Sequence, residues 1–532
     1  MAVDFSRSKK EGKFHELIME VFKRHVYPED KYEILAILEA SGWNDERAAK
    51  EYGVESIFAL AEDVWVVIQE KITKQSFESV PKMSALAYLG MVIRSFLRGI
   101  IFALPMAISV LAMLTLKFSL WSYVNLSLEL ATAIAIGTIM SFMTVGGFTQ
   151  AIARRGFLYI RIGYYNMARR ITFYFVRLGY IVSTIVFVSY LLFNAFFGIF
   201  PLRMTVVILL YFIFLSAIWL SVTIMYILQR ELAFTGLIVV GIFVVYILFI
   251  ILKFDIIISQ IITLFLVATS GAILAFYFMK IAEEKMEKGI APALPRTSIT
   301  IYTVLPYFIY GFLYFTFLFT DRIIAWSTSN VYMPYLIWFR GPYELGLDFA
   351  LITLILPMGF IEVVVNEFMA NMESHQKNYL GTESPALGRR YLRLYLRRIV
   401  IVTIFSSITA VLVYLVIRYI HLTSLLPIEY SLISNYTTHF VFVVALAGYT
   451  ILCIGLLNAL ILFSVAQPEM VGKSILIALL TNIFVGFPLS RWFDHSYAVF
   501  GLLVGTIVFA ILSYRWVIKV LKDIDYYLYA AS

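Results

Sequence analysis

Apolar residues come in long unbroken runs along this chain, Val206 to Leu228 and Val499 to Leu512 among them. Runs that approach or exceed about 18 residues with few charges can cross a bilayer. Lipid offers no water to satisfy a free amide, so such runs fold as helices. The pattern predicts about twelve spans, at 98–117, 124–148, 171–194, 204–227, 233–252, 256–279, 299–322, 347–371, 399–419, 439–464, 474–490 and 498–518. Ahead of them, residues 1–90 carry a different rhythm. Leu17, Ile18, Val21 and Phe22 stand at helical spacing among polar neighbours, and shorter helices follow.

Gly42 punctuates that leading segment. Asn44 ahead of Asp45 and Glu46 predicts a helix start, because its side chain can cap free amides while the acids favour the positive helix end. The stretch Glu33 to Trp65 resembles a UBA-like three-helix bundle, and a small helical bundle of unassigned role is the plainer reading.

Composition narrows the class. Hydrophobic residues make up 61% of the 532 and charged residues only 14%, against roughly 25% charged in a soluble domain, so there is too little charge to clothe a soluble body. Cys453 is the single cysteine. It excludes an intrachain disulfide and a cysteine-ligated metal cluster, and its place inside an apolar run predicts a packing role. The net charge of +8 does not call for nucleic acid, because the basic residues sit in short loops between spans. Met1 to Lys13 is polar and the first long apolar stretch begins near Ile100, so the first span is expected to act as an uncleaved insertion signal.

Those basic loops orient the chain. Arg154, Arg155, Arg161, Arg169 and Arg170 follow the second span; Lys377, Arg389, Arg390, Arg393, Arg397 and Arg398 follow the eighth. Basic loops stay on the cytoplasmic side, which predicts a multi-pass protein of the cytoplasmic (inner) membrane with both termini inside. Trp326, Tyr332, Trp338 and Tyr343 then crowd an outer connection, at the level of the lipid headgroups. The basic loops occupy matching places in two halves. The expected organisation is therefore a segment 1–90, a first six-helix bundle 91–282, a cytoplasmic linker 283–298 and a second six-helix bundle with tail 299–532, an arrangement common among transporters.

Ionisable groups within spans are the informative positions, since one at the bilayer centre costs at least about 2.5 kcal/mol unless it faces protein or water. Asp321 and Arg322 end the seventh span. Glu362, Asn366 and Glu367 lie in the inner half of the eighth, with Glu362 the deepest carboxylate by position. Glu362 and Asn366, four apart, share a helix face, and Glu367 is turned away by a further step of about 100°. Arg177 lies just inside the third span and Glu129 opens the second. These groups are expected to line an aqueous cavity: Arg322 or Arg177 would meet an anionic group, and Glu362 or Glu367 would contact hydroxyls or exchange protons. Tyr302, Tyr307, Tyr310 and Tyr314 form an aromatic stripe that could face a polyol. Pro105, Pro306 and Pro357 fall within or at the start of spans, where proline kinks or breaks a helix.

No enzyme signature is present. The segment Gln467 to Ser474 ends in Gly472-Lys473-Ser474 but lacks the leading glycine of a phosphate-binding loop, and the six histidines show no metal-ligand spacing. No catalytic residue, cofactor or metal is expected.

From about residue 90 onward the chain resembles the PelG-like exopolysaccharide exporters, within the superfamily of multidrug exporters and polysaccharide flippases. Four stretches carry the resemblance: Gly137 to Arg170, Tyr310 to Trp326 with its Asp321-Arg322 pair, Asp348 to Tyr379 with Pro357-Met358-Gly359 and Glu367-Phe368, and Tyr497 to Tyr527. The resemblance implies an all-α polytopic fold of two six-helix bundles, MATE/flippase-like, and a secondary transporter exporting a polysaccharide or lipid-linked saccharide. The chain departs from the family in its leading segment and in Leu104-Pro105. The alternatives are a cation-coupled exporter of small molecules and a membrane scaffold that recruits a cytosolic glycan synthase. Expected partners are membrane lipids, a saccharide substrate and a cytosolic glycosyltransferase reached through residues 1–90, with no nucleic acid.

Overall fold

In the computed structural model, residues 14, 16–19, 21, 31–74, 85–123, 125–161, 163–286, 297–328, 335–376, 384–423 and 435–529 are described. Their contacts divide the chain into two units, Met1–Ser84 and Ala85–Ser532. Tyr332 and most of the expected linker lie outside the described residues.

The first unit contains α1 (Lys31–Ala40), α2 (Asp45–Tyr52) and α3 (Ile57–Lys74). Asn44 caps α2 as its sequence predicts, its side chain accepting from the Arg47 amide at 2.9 Å. Gly53 closes α2 at φ 75°, a left-handed conformation that suits glycine. Leu17, Ile18 and Val21 join Ile34, Leu38, Leu60 and Val64 in a buried core.

The second unit is helical throughout its regular structure, apart from one antiparallel bridge between Phe118 and Tyr123. Its helices are α4 (Ala85–Leu116), α5 (Leu128–Arg161), α6 (Tyr165–Phe197), α7 (Leu202–Ile227), α8 (Glu231–Tyr246), α9 (Ile256–Met286), α10 (Thr297–Trp326), α11 (Gly341–Leu351), α12 (Ile355–Gln376), α13 (Ser384–Thr423), α14 (Tyr436–Ser464), α15 (Pro468–Trp492), α16 (Val499–Lys522) and α17 (Ile524–Tyr529). Among the described residues, eleven helices are long and apolar enough to cross a membrane, α11 and α12 counting as one. The predicted first span falls on α4, which carries Arg94 and Arg98 as its only charges. This helix starts at Ala85, thirteen residues before its expected beginning at 98.

The helices form two bundles, each with its own apolar core. In the first, Ile208, Tyr211, Leu220, Ile238 and Leu264 pack together; in the second, Phe317, Leu347, Tyr395, Leu452 and Phe509 do. Buried amides tie each core. Gln260 accepts from the Tyr211 hydroxyl at 2.7 Å and donates to the carbonyls of Ser119 and Ser122. Asn458 accepts from the Tyr395 hydroxyl at 2.8 Å and donates to Ser513. Cys453 is buried in the second core, in keeping with a packing role.

Two helix crossings join the bundles, and both are made by glycine pairs. A Cβ on Gly99 of α4 would sit 2.6 Å from the Cα of Gly359 on α12, and one on Gly359 would sit 2.9 Å from the Phe96 carbonyl. A Cβ on Gly311 of α10 would sit 2.3 Å from the Gly146 carbonyl on α5. Small residues let helix backbones approach this closely in membranes. Gly146 follows Gly99 by 47 residues and Gly359 follows Gly311 by 48. First helix meets eighth and second meets seventh, the pairing that a two-fold axis between the halves requires.

Candidate functional site

Among the described residues, two gatherings of charged side chains in the membrane unit contain candidates named from the sequence. The first lies wholly in the second bundle, where α10 faces α11. Arg322 donates to Glu344 in a close ion pair and reaches Asp348 at 3.4 Å. The other Glu344 oxygen accepts from the Trp326 indole at 2.8 Å. Asp321, with 0% exposure, accepts from the Tyr343 hydroxyl at 2.8 Å through Oδ2, while its Oδ1 is buried with no hydrogen-bond partner. Asp321 and Tyr343 form a fully buried pair, and beside it the Arg322 network ends at Asp348, whose side chain is half exposed.

Asp321 is the least exposed of the candidate carboxylates, a measure of enclosure by protein that is separate from the depth in the bilayer expected of Glu362. Trp326 and Tyr343 are buried hydrogen-bond partners of the acids. One expectation is corrected. The eighth span does not begin at 347: α11 begins at Gly341 with Pro342 in its first turn, and this extension carries Tyr343 and Glu344 into the core.

The second gathering lies at the seam between the bundles, beside the Gly99–Gly359 crossing. Asn366 on α12 donates to Ser95 of α4 at 3.2 Å and to Glu362 at 3.3 Å, the latter the contact expected of residues sharing a helix face. Arg98 of α4 pairs with Glu231 of α8 at 3.6 Å, within the first bundle. Glu367, turned to a different face, pairs with Arg398 at the start of the following span.

The symmetry-related seam, beside Gly146–Gly311, is held differently. Arg155 donates to Thr303, and the Arg154 guanidinium lies 5.0 Å from the Tyr307 ring centre. Further along, Phe142 stacks on Phe315 at 5.2 Å and lies 4.5 Å from Trp219. Tyr310 and Tyr314 stack at 5.8 Å, and Tyr310 meets Phe463 edge-on. Tyr302 stands apart at 77% exposure, so the four tyrosines do not form one face. Arg177 is exposed on α6, in a groove of about 490 Å³ with Phe173, Tyr180 and Thr184. Glu129 is exposed and accepts from Tyr335 at 3.4 Å.

Sequence reasoning missed Glu344, Arg98 and Glu231. Glu344 had a signal in Pro342, since proline favours the first turn of a helix. Arg98 and Glu231 read as span ends, and their meeting depends on how α4 crosses α8 and α12. Among the described residues, no group of three or more His, Cys, Asp or Glu side chains could hold a metal.

No protein-family model matches the chain, and no curated protein matches it. Solved structures do. "MATE transporter ClbM in complex with Rb+" is 12% identical over 86% of this chain and 100% of its own, with a TM-score of 0.51. "Crystal structure of MATE in complex with MaD5" is 14% identical over 81% of this chain and 96% of its own, with a TM-score of 0.55. "Outward-facing conformation of a multidrug resistance MATE family transporter of the MOP superfamily" is 16% identical with the same coverages and a TM-score of 0.51. The fold of this chain is MATE-like, with two helical bundles.

Proposed function

We propose that this chain is a secondary transporter of the flippase type, exporting a polysaccharide or lipid-linked saccharide across the cytoplasmic membrane by alternating access. The observation that carries the reading is the pair of glycine crossings, Gly99–Gly359 and Gly146–Gly311. Bare backbone crossings related by a two-fold axis let two bundles rock against each other with little side-chain interlock, the motion expected of repeat-built transporters. Polar contacts beside them act as latches: Ser95–Asn366 on one seam, Arg155–Thr303 on the other.

The saccharide class rests on the PelG-like stretches, two of which, Tyr310 to Trp326 and Asp348 to Tyr379, contain the charged and aromatic groups described above. Glu362 and Asn366 would meet sugar hydroxyls once the seam opens, Tyr310 and Tyr314 would offer ring faces, and Arg177 would meet an anionic substituent. A cytosolic glycosyltransferase is the partner proposed for residues 1–90. A second reading, cation-coupled export of small molecules, is favoured by one observation: Asp321 is fully buried with an oxygen free of hydrogen bonds.

The test uses the full chain with Cys453→Ala in vesicles, with Ser95→Cys and Asn366→Cys added. Joining the two thiols with a short crosslinker should stop labelled glycan from reaching the opposite compartment, and reversing the link should restore it. Undiminished glycan flux with the seam joined refutes rocking at this seam. Proton-dependent dye efflux without glycan flux selects the second reading.

A further inference from the structure

We propose that the groove between the end of α12 and the start of α13 binds a phosphate-bearing anionic group at the membrane surface. The groove encloses about 820 Å³ and is lined by Arg389, Arg390, Arg393, Arg397 and Asn371. Arg390, Arg393 and Arg397 stand at i, i+3 and i+7, one stripe of a helix. Among the described residues, no carboxylate lies within ion-pair distance of these three, whereas their neighbour Arg398 pairs with Glu367.

The contrast with the other basic loop is informative. There, Arg169 pairs with Glu283 at 2.8 Å, Arg155 donates to Thr303 and Arg154 lies over Tyr307. Retention of positive loops inside accounts for arginines in both places. It does not account for a concave stripe in which Arg390, Arg393 and Arg397 have no acid partner among the described residues, beside arginines engaged with protein in the other loop. The stripe is also held in place. Tyr391 is buried and donates to the Met372 carbonyl at 3.2 Å, and Gly388 lies so close to the end of α16 that a Cβ there would sit 2.8 Å from the Lys522 carbonyl. Guanidinium forks match phosphate oxygens two at a time, and basic pockets beside membrane helices take phospholipid headgroups. The inference holds whether or not the chain moves a saccharide.

The experiment titrates the purified full chain in detergent with cardiolipin, with phosphatidylcholine and with inorganic pyrophosphate, reading bound species by native mass spectrometry. Cardiolipin should bind in preference to phosphatidylcholine. Each arginine removed should weaken it about five-fold, so the triple variant Arg390→Gln, Arg393→Gln, Arg397→Gln should lose roughly a hundredfold. A charge-matched control, Lys280→Gln, Lys473→Gln, Lys519→Gln, should stay within about twofold of the parent. Displacement of cardiolipin by pyrophosphate identifies a site that also takes soluble phosphates; cardiolipin binding that pyrophosphate does not displace identifies a headgroup site. Equal cardiolipin binding by parent and triple variant, or an equal loss in the control, overturns the proposal. If the triple variant does not stay monodisperse, Arg393→Gln alone decides, and an unchanged affinity there overturns it as well.

Discussion

Replacing Arg322 with glutamine removes the one cation that serves Glu344 and Asp348 together. Asp348 is half exposed, so water screens it and its pairing contributes about 1 kcal/mol or less. Glu344 decides the outcome, because its side chain is only 7% exposed and a buried charge stripped of its partner costs about 3–5 kcal/mol. The Trp326 indole at 2.8 Å still donates to Glu344, which places the expected loss toward the lower end of that range. Replacing Glu344 with glutamine in the same chain removes the stranded charge. The double variant should therefore be more stable than Arg322→Gln alone by about 2 kcal/mol, short of the parent because hydrogen bonds to the charged pair are gone. Cys453 supplies the assay: it is the only cysteine and is buried in the same bundle, so a thiol-reactive dye labels it when that bundle opens in a denaturant series. An Arg322→Gln midpoint indistinguishable from the parent, or a double variant no more stable than the single one, refutes the assignment of this network as a coupled unit.

Three other outcomes follow from particular contacts. Gly311→Ala puts a Cβ 2.3 Å from a backbone oxygen that cannot step aside and should cost about 2–3 kcal/mol, whereas Gly90→Ala, with open space around it, should be neutral or stabilise by up to about 1 kcal/mol; denaturation midpoints of the two variants should move in opposite directions or differ clearly. Gln260→Ala leaves the Tyr211 hydroxyl and the Ser119 carbonyl without their partner, while the Ser122 carbonyl keeps the Ser119 amide, and should cost about 2 kcal/mol, seen as faster amide exchange across residues 118–123. Burial pushes the Asp494 carboxyl up, but the charge of His495 and hydrogen bonds from His495 and Ser496 outweigh it and hold the carboxyl below its ordinary 3.8. A depressed folded value means stability that is present above 3.8 and lost as pH falls through the lower folded value. Solvent screening keeps this contribution well under about 1 kcal/mol. Asp494→Asn should therefore be slightly less stable than the parent near neutral pH and indistinguishable from it in strong acid; a difference that persists in acid argues against the carboxylate as its source.

Helix positions in the membrane unit were legible because lipid permits only one backbone solution for a long apolar run. Helix ends were not. A span needs only about 20 residues, but α4 runs for 32 and α13 for 40; the extra turns of α13 are rich in arginine, while those of α4 are apolar residues broken by Arg94 and Arg98. Arg98 consequently read as the edge of a span when it lies well inside a helix, paired with Glu231 of α8. Contacts within one helix were the readable part of the site. Glu362 and Asn366 touch because they are four apart, and Glu367 pairs elsewhere because it is one step further round. Contacts between helices depend on how far one helix is slid along another, a quantity that no single run of sequence contains; the Asp321–Tyr343 hydrogen bond exists only because α11 begins six residues earlier than its hydropathy suggests.

The internal repeat shows the same limit from the other side. The two halves share too little identity for alignment to reveal a duplication. Yet the geometry that relates them constrains few positions: where two backbones touch, only glycine fits, and elsewhere the lipid-facing surfaces accept any apolar residue. Four glycines, with gaps of 47 and 48 residues between the members of each half, therefore keep the relation that the intervening sequence has lost. A two-fold related pair of crossings must also place the partners in reversed order, first helix on eighth and seventh on second, and Gly99 on Gly359 with Gly311 on Gly146 is that order. The sides of the two seams differ, one joined by the Asn366 amide donating to the Ser95 hydroxyl and the other by a cation over an aromatic ring at Tyr307. On the proposed rocking motion, shared crossings with unlike side contacts would give the two bundles one axis and two separately adjustable contacts to break.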